Sequence, residues 1–387
     1  MRKAAISGTI LAGILFGGPG AAQGAEPEWS ELFSIVEMKP TIGISTGYDS
    51  NPEEFVGGGG SAFKRLDAGL RLTMGDEDTT QAVAGFSGSV IGYSEPDLEK
   101  DYDHAVGVEL SHRLNPQVRI SAGVNRNVDG SDDPVTKATE AFTLIAIDLP
   151  KLQWTFRGTV ADYREVVSAR DIEEFDLETY DYLVRAGVMR TELAKDSKIR
   201  PVVEVGLARL DYERPRPGKR NRDATEYFII AGAELDLTDE LELRLGLRRN
   251  ERIFDESGDG SFASTGPDVS LEWEPNQKVE VEFSVARTLE EPTREDSVVE
   301  DVFAAQAKVT LQAREKLTLT AGATFETVDL VRADERKTEL SLSAGTRWQM
   351  REQLAFLIEA WTQREHFEQE DETVDRTLIR AGVEATF

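Results

Sequence analysis

The side chains of this sequence that could do chemistry are mainly acids and bases placed at every second position. From Glu240 to Arg248 the chain reads Glu-Leu-Glu-Leu-Arg-Leu-Gly-Leu-Arg, so Glu242, Arg244 and Arg248 share one side and the leucines share the other. Successive side chains of a β-strand point to opposite faces, so this spacing gathers the charges on one face. Such a row predicts a hydrated surface that can filter polar solutes by charge.

Residues suited to catalysis are scarce. Cysteine is absent, which excludes thiolate metal sites and cysteine nucleophiles. His104 and His112 share the apolar register of one strand, and His366 falls in a predicted loop. None is matched with a serine and an acid at a known hydrolase spacing, and no nucleotide fingerprint or metal motif occurs. We therefore expect no enzymatic activity, no cofactor and no metal site.

The composition limits the class of protein. Of the 387 residues, 30% are charged and 40% are hydrophobic, which is too apolar for a disordered chain and too polar for a bundle of membrane helices. The 72 acidic residues outnumber the 44 basic ones, and the formal net charge is -28. Nucleic-acid binding needs a basic surface, so no nucleic-acid partner is expected.

The N-terminal segment has the pattern of a secretory signal. Two basic residues precede an apolar stretch from Ala4 to Phe16, and small residues follow up to Gly24. This predicts a signal peptide over 1–24 that is removed on export, because a membrane anchor would need about 20 apolar residues. Residues 25–39 are then expected to be a short periplasmic segment, too short for a plug or a periplasmic domain.

Residues 40–387 keep the two-residue period throughout. Leu317, Leu319 and Phe325, for example, alternate with polar residues, and similar runs recur to the end of the chain. Marking each run gives about eighteen strands, with sixteen as the alternative. Short turns such as 275–276 alternate along the chain with longer polar loops such as 213–222 and 289–299.

Alternating short and long connections are typical of a transmembrane β-barrel, with turns at the periplasmic rim and loops at the extracellular rim. A sheet of this size in lipid must close, because unpaired edge groups in hydrocarbon cost several kcal/mol each. The sequence thus predicts an all-β, antiparallel, up-and-down transmembrane barrel over 40–387. A secreted β-solenoid or a pair of β-sandwiches is the soluble alternative.

The last strand carries one family resemblance. Residues 377–387 alternate apolar and polar positions and end in Phe387, which resembles the C-terminal signal that the barrel-assembly machinery reads in bacterial outer-membrane proteins. Ala385 departs from that pattern, because an aromatic residue is common there. The resemblance implies that Phe387 is an assembly signal and that the barrel-assembly machinery is a partner.

A second resemblance lies near the start of the barrel. The motif Tyr48-Asp49-Ser50-Asn51 is similar to the opening strand of the outer-membrane β-barrel porin family often associated with exopolysaccharide gene clusters. Membership would imply the outer membrane of a Gram-negative bacterium, a porin-like or polysaccharide-associated role and no enzymatic site. It would make outer-membrane lipids and a polysaccharide the expected partners. Lipopolysaccharide is expected as a partner for a separate reason, because the basic cluster over 213–222 could bind its phosphates or an acidic glycan; a merely solvated loop is the favoured alternative.

The charged register predicts the lining of the lumen. If the leucine and valine face meets lipid, the opposite face meets water, and barrels of sixteen to eighteen strands leave an aqueous channel. Acids outnumber bases in this set, so an open channel should favour cations. The simpler alternative is that the charges only hydrate the interior. The predicted lumen residues are Glu109, Arg157, Arg185, Glu204, Glu234, Glu242, Arg244, Arg248, Glu272, Glu280, Glu282, Lys308, Glu326, Glu339, Arg347, Glu359, Arg380 and Glu384.

Three functions remain open from the sequence. The first is passive passage of hydrophilic solutes or of a polysaccharide across the outer membrane. The second is a structural or surface-interaction barrel that is closed by its loops, and the third, least favoured, is a lipid-modifying enzyme. The fold of the loops decides between the first two, and the sequence does not specify that fold.

Overall fold

The computed structural model describes residues 36–387 except 53–57, 96–97, 99, 131–134, 167–180, 195–196, 213–221, 257–259, 292–296, 334 and 370. Eighteen strands form a single antiparallel sheet, so eighteen rather than sixteen is correct. No helix in the described part of the chain is long and apolar enough to cross a membrane. The strands are β1 (Val36–Asp49), β2 (Ser61–Gly75), β3 (Thr80–Tyr93), β4 (Asp101–Asn115), β5 (Val118–Asp129), β6 (Val135–Leu149), β7 (Leu152–Val166), β8 (Tyr182–Leu193), β9 (Ile199–Tyr212), β10 (Ala224–Thr238), β11 (Leu241–Phe254), β12 (Ser261–Asn276), β13 (Val279–Glu290), β14 (Glu300–Arg314), β15 (Leu317–Leu330), β16 (Glu335–Arg351), β17 (Leu354–Phe367) and β18 (Glu372–Thr386).

The sheet closes on itself. Each strand pairs with its neighbours in sequence, and β1 also pairs with β18 from Thr41↔Thr386 to Asp49↔Leu378. Closure removes the two edges that an open sheet of this length would expose, and all backbone groups in the ladder can then pair within the protein. The predicted up-and-down antiparallel barrel is therefore confirmed.

The barrel begins earlier than the sequence pattern indicates. β1 starts at Val36, which pairs with Met74, so residues 36–39 belong to the first strand and not to a separate periplasmic segment. Pro40 interrupts the alternation of apolar and polar residues, so the sequence pattern does not reveal that strand pairing begins at Val36. The predicted signal peptide over 1–24 lies outside the described residues.

The two rims of the barrel differ in the length of their connections. One rim, called here the turn rim, has short connections such as 116–117, 277–278 and 352–353, and both Val36 and Phe387 lie there. The other, called the loop rim, carries longer connections such as 213–223. The predicted alternation of short and long connections is thus present around the whole barrel.

The two faces of the wall differ in exposure. Ile44 is 64% exposed and Leu247 is 60% exposed on the outer face, whereas Phe63 is 3% exposed and Ile230 is 2% exposed on the inner face. Curvature explains the difference, because a convex surface spreads its side chains and a concave surface crowds them. The leucine and valine register therefore faces outward, as a lipid-facing surface requires.

The motif that starts at Tyr48 lies at the seam between the first and last strands. The Asp49 carboxylate is fully buried and accepts hydrogen bonds from Arg376 Nη2 at 2.6 Å and Nε at 3.0 Å. The backbone N–H of Asn51 donates to Asp49 Oδ1 at 3.0 Å. Ser50 N–H donates to Thr377 O at 2.9 Å, and Thr377 N–H donates to Ser50 Oγ at 2.7 Å. These contacts extend the seam beyond the paired strands.

Candidate functional site

The inner face gathers the charged register. Cross-strand register aligns Glu242, Glu272, Glu282 and Lys308 in one row across β11 to β14. The same register argument, carried around the barrel, places every predicted lumen residue except Arg185 on the inner face. The sequence alternation therefore identifies the side chains that share the interior surface.

Arg185 lies on the opposite face from the one predicted. Its cross-strand partners are Val160 on β7 and Arg209 on β9, both on the outer face, and its Nη1 lies 2.6 Å from Asp211 Oδ2. The prediction assumed that the apolar residues of β8 face lipid. Near the loop rim the outer face lies beyond the apolar band that contacts lipid. The polarity of a side chain there no longer indicates whether it faces inward or outward.

The inner wall formed by β8 to β11 is filled by paired charges. The Arg200 side chain is 12% exposed, and its Nε lies 2.8 Å from Glu192 Oε1. Arg190 and Arg200 both form ion pairs with Glu234. Further along, Arg244 reaches Asp268 at 3.2 Å and Glu204 at 3.5 Å. Long guanidinium and carboxylate side chains thus occupy this side of the interior.

Other predicted lumen charges are paired as well. The shortest nitrogen–oxygen distances are 2.6 Å for Arg157–Glu140, 2.7 Å for Lys308–Glu282, 2.7 Å for Arg347–Glu384 and 2.5 Å for Arg380–Glu359. Arg248 stacks on the Phe228 ring at 4.3 Å and donates to Asn250 Oδ1 at 2.7 Å. Most of these charges therefore present compensated pairs rather than isolated ions.

The wall formed by β12 to β17 has short polar side chains instead. Ser270, Ser284, Gln306, Thr324 and Ser341 are successive cross-strand partners in one row of the inner face. A hollow of about 320 Å³ lies against this wall. The row on its turn-rim side includes Glu282, Lys308, Gly322, Ser343 and Trp361.

The end of β13 turns into the barrel. β12 and β13 pair only from Asp268↔Ala286 toward the turn rim, although both strands continue toward the loop rim. Beyond that point Arg287 O accepts a hydrogen bond at 3.0 Å from Asn250 Nδ2, and Asn250 is a fully buried inner-face residue of β11. The backbone of β13 therefore crosses the inner face of β12. We call residues 287–291 and 297–301 the inturned segment.

The inturned segment is anchored by charge and by apolar packing. Arg252, whose side chain is 4% exposed, lies 2.8 Å from Glu291 Oε1 and 2.7 Å from Glu226 Oε2. Ser297 Oγ donates to Val331 O at 3.1 Å, which ties the segment to the end of β15. The segment therefore narrows the interior at the loop rim. The buried apolar residues of the contact are Ala224, Phe254, Leu289, Val298 and Val299.

Sequence reasoning treated residues 289–299 as an external loop and missed this feature. The sequence feature that could have indicated the crossing is the pair Gly266-Pro267 inside β12. A Cβ atom at Gly266 would lie 2.4 Å from Arg287 Cβ, so only glycine lets β13 cross at this distance. Pro267 has no N–H to donate and lies where pairing with β13 has stopped.

The histidines lie on the outer face of the barrel. His104 stacks beside Tyr102 with ring centroids 6.5 Å apart, and His112 Nδ1 lies 2.7 Å from Thr80 Oγ1. His366 lies in β17 rather than in the predicted loop, with Nδ1 3.2 Å from Thr373 Oγ1. Among the described residues, no group of three or more potential ligands is arranged to hold a metal ion.

Solved structures that resemble this chain share little of its sequence, and the first one named here supports the barrel architecture alone. The copper transporter OprC is 11% identical, with a TM-score of 0.51, over 94% of this chain and 82% of that one. The siderophore receptor PirA from Pseudomonas aeruginosa is 12% identical, with a TM-score of 0.46, over 90% of this chain and 80% of that one. No curated protein matches the sequence.

The family comparison covers almost the whole described chain. The family model described as "Putative beta-barrel porin 2" matches residues 37–387, from the second residue of β1 to the C-terminal Phe387. The match includes every strand, both rims and the seam, and it agrees with the porin-type resemblance of the opening strand. This chain is therefore a member of the Putative beta-barrel porin 2 family and has the fold of an outer-membrane β-barrel porin.

Proposed function

We propose that this barrel is a passive outer-membrane channel for hydrophilic solutes, with no catalytic residue. The observation that carries the proposal is the hollow of about 320 Å³ along the short polar side chains of β12 to β17. A solute needs unobstructed volume to pass, and serine, threonine and glycine leave more of it than the arginines on the other wall. Hydroxyl groups can also replace water as hydrogen-bond partners of a passing solute.

The charges around the hollow support a route for neutral and cationic solutes. Glu282 and Lys308 compensate each other at 2.7 Å, and Glu272 is the further charged residue that lines the hollow, so the lining carries a small negative charge. Glu280 lies two residues closer to the turn rim on the same face and adds a negative charge there. A hydroxylated solute such as a sugar would therefore meet hydrogen-bonding groups with little electrostatic barrier. A linear polysaccharide is the largest solute that we consider.

The inturned segment supports a size limit at the loop rim. It occupies the inner side of β10 to β12, beside the wall of short side chains. A solute would then enter through the part of the loop rim that the segment leaves uncovered. The same segment favours a second candidate, a structural barrel whose interior is blocked, because a segment that folds inward removes part of the passage.

Conductance distinguishes the two candidates. The mature chain, refolded and inserted into planar lipid bilayers, should give stepwise increases in current if the interior is continuous. Ser343→Phe would place a bulky ring in the hollow and should lower the single-channel conductance. Leu340→Phe is the matched control, since this side chain of the same strand lies on the outer face, is 45% exposed and does not line the hollow.

The conductance results distinguish the channel from the blocked barrel. A correctly folded barrel without conductance would refute the channel and favour the blocked barrel. Equal conductance of Ser343→Phe and Leu340→Phe would show that the current does not pass along the hollow. Reduction of the current by an added oligosaccharide, stronger in the wild type than in Ser343→Phe, would assign sugars as solutes of this route.

A further inference from the structure

The outer face divides into an apolar zone and a charged zone. Toward the turn rim it presents Trp154, Trp273 and Trp348, which are 36%, 42% and 50% exposed. Charged side chains on the outer face concentrate toward the loop rim. Those that register places there include Lys64, Arg126, Lys137, Asp162, Arg164, Arg185, Arg209, Asp211, Arg249, Glu251, Asp329, Arg336, Arg364 and Asp375.

Five basic residues of this zone lie on five consecutive strands, β5 to β9, and form what we call the basic patch. The register sets Lys137 of β6 directly opposite Arg164 of β7, and Arg185 of β8 directly opposite Arg209 of β9. Arg126 of β5 lies on the same face, opposite the residue two positions after Lys137. Like charges directly opposite each other destabilise a sheet. Anionic groups bound beside these residues would therefore stabilise the arrangement.

The acidic residues in the described part of the chain compensate the basic patch only in part. Asp162 lies 2.9 Å from Arg164, and Asp211 lies 2.6 Å from Arg185 and 2.9 Å from Arg209. Asp255 receives two hydrogen bonds from Arg209, which lowers the pKa of its carboxyl group and keeps it ionised.

Two cations of the patch are left without such compensation. The residues opposite Arg126 are Val106 and Thr139, and those opposite Lys137 are Val128 and Arg164, so neither cation has an acid as its cross-strand partner. Among the described residues, a positive area therefore remains at the outer surface of a protein with a net charge of -28.

The apolar surface below the patch indicates what kind of anion fits. Val124, Phe156 and Val160 lie on the outer faces of β5 and β7 on its turn-rim side, and they are 51%, 37% and 48% exposed. A ligand that contacts both the basic patch and the apolar surface below it needs an anionic head group and hydrocarbon chains. The guanidinium groups of Arg164 and Arg185, with side chains 59% and 58% exposed, can reach such a head from the barrel wall.

We propose that the basic patch on β5 to β9 binds the phosphate groups of phosphorylated glycolipids in the membrane leaflet at the loop rim. Arginine matches phosphate by donating two parallel hydrogen bonds, and lysine adds a point charge. This site is on the outside of the barrel and does not depend on whether the interior conducts. Its occupancy would fix the depth and orientation of the barrel in an asymmetric membrane.

The test uses the refolded barrel in detergent and purified deep-rough lipopolysaccharide as the probe. Native mass spectrometry should detect bound lipid, and titration should give its affinity. The double variant Lys137→Gln/Arg185→Gln should lower that affinity by about tenfold or more, since a hydrogen bond to a charged group typically accounts for about a factor of ten. Heat-modifiable migration on gels would verify that the variant barrel is folded.

Two control variants test whether the loss of affinity is specific to the basic patch. Arg157→Gln removes an arginine from the inner face of β7, and Arg364→Gln removes an outer-face arginine that lies outside the patch and pairs with Asp375 at 2.7 Å. Both should bind the probe as the wild type does. Equal loss in Arg364→Gln would show general charge attraction and overturn the patch as a site.

Two further probes separate the sources of the phosphate. Dephosphorylated lipopolysaccharide should bind at least tenfold more weakly than the intact lipid, and inorganic phosphate should not compete at millimolar concentration. Undiminished binding of the dephosphorylated lipid would refute phosphate recognition. Full competition by inorganic phosphate would show a simple anion site and refute a lipid ligand.

Discussion

At the scale of single residues, Gly266 controls how closely β13 crosses the inner wall. Gly266→Val places a branched side chain where even a Cβ would be 2.4 Å from Arg287 Cβ, so the inturned segment must move away from β12. We expect the barrel to remain folded, because β11 and β12 still pair along their length. Displacement of the segment should change the single-channel conductance, measured in planar bilayers.

Gly85→Ala is the matched control for this substitution. Gly85 lies on the inner face of β3, and nothing lies within 4 Å of a Cβ placed there. Its conductance should equal that of the wild type. Identical conductance of Gly266→Val, in a barrel of normal heat stability, would mean that the inturned segment does not limit the passage.

The ion pair between Asp49 and Arg376 is also a residue-scale feature, and it joins positions 327 apart in the chain. Asp49→Asn should destabilise the seam, because removing one partner of a buried pair costs about 3–5 kcal/mol. The exposed pair Arg364–Asp375, with side chains 66% and 61% exposed, provides the control. Arg364→Gln should cost no more than about 1 kcal/mol.

The temperature at which the barrel loses its compact migration on gels measures this effect. We expect a clear decrease for Asp49→Asn and almost none for Arg364→Gln. A seam variant as heat-stable as the wild type would show that strand pairing alone closes the barrel. The Tyr48-Asp49-Ser50-Asn51 motif would then need another explanation.

At the scale of elements, β18 completes the barrel and carries the C-terminal aromatic. Phe387 N–H donates to Pro40 O at 3.0 Å, and its ring is 65% exposed on the outer face. We propose that this ring is recognised during assembly of the barrel. We predict that deleting Phe387 sharply lowers the amount of barrel in the outer membrane, measured by fractionation and immunoblotting.

Phe283→Ala is the control for the deletion of Phe387, because it removes an outer-face ring that is 39% exposed in the middle of the chain. It should assemble far better than the deletion. Normal levels of heat-modifiable barrel without Phe387 would eliminate the assembly signal.

The elements also show where alternation identifies the faces and where it does not. On β11 and β15 the apolar register is outward along most of the strand, because those positions meet a uniform apolar medium. On β8 the valines face inward and Arg185 faces outward. Positions near the loop rim meet water or lipid headgroups on the outside and packed loops on the inside. The hydrophobicity of a side chain there does not predict whether it faces outward or inward.

At the scale of the whole molecule, the acidic composition predicts the sign of ion selectivity. The reconstituted channel should prefer cations, and Glu280→Gln/Glu282→Gln should lower that preference. The removal of Glu282 leaves Lys308 without the carboxylate that lies 2.7 Å away, so this change acts more strongly than its single charge suggests. The reversal potential in a salt gradient measures the effect, which should grow at low ionic strength, where screening extends to about 30 Å at roughly 0.01 M.

Leu243→Thr is the control for selectivity, since register places Leu243 opposite Leu235 and Leu271 on the outer face. It should leave the reversal potential unchanged and lower stability. Anion preference of the wild type at low salt would contradict the acidic channel.

The sequence by itself determined the architecture of this protein. A two-residue alternation with short and long connections specifies strands, their two faces and closure, because each strand meets water on one side and lipid on the other. It also assigned the charged residues that it singled out to the inner face, with Arg185 as the exception, but it did not single out Arg190, Glu192 or Arg200, which share that face. These properties depend on the local environment of each residue, and the local pattern is enough to reveal them.

Only the tertiary structure decided which groups meet. The pairing of Asp49 with Arg376, the network of Arg200 with Glu192 and Glu234, and the crossing of Arg287 over Gly266 join strands that are separate in sequence. Register and barrel curvature set these distances, and a one-residue shift would exchange the two faces of a strand. The narrowing of the interior and the basic patch on the outside are therefore properties of the closed barrel, which no single strand contains.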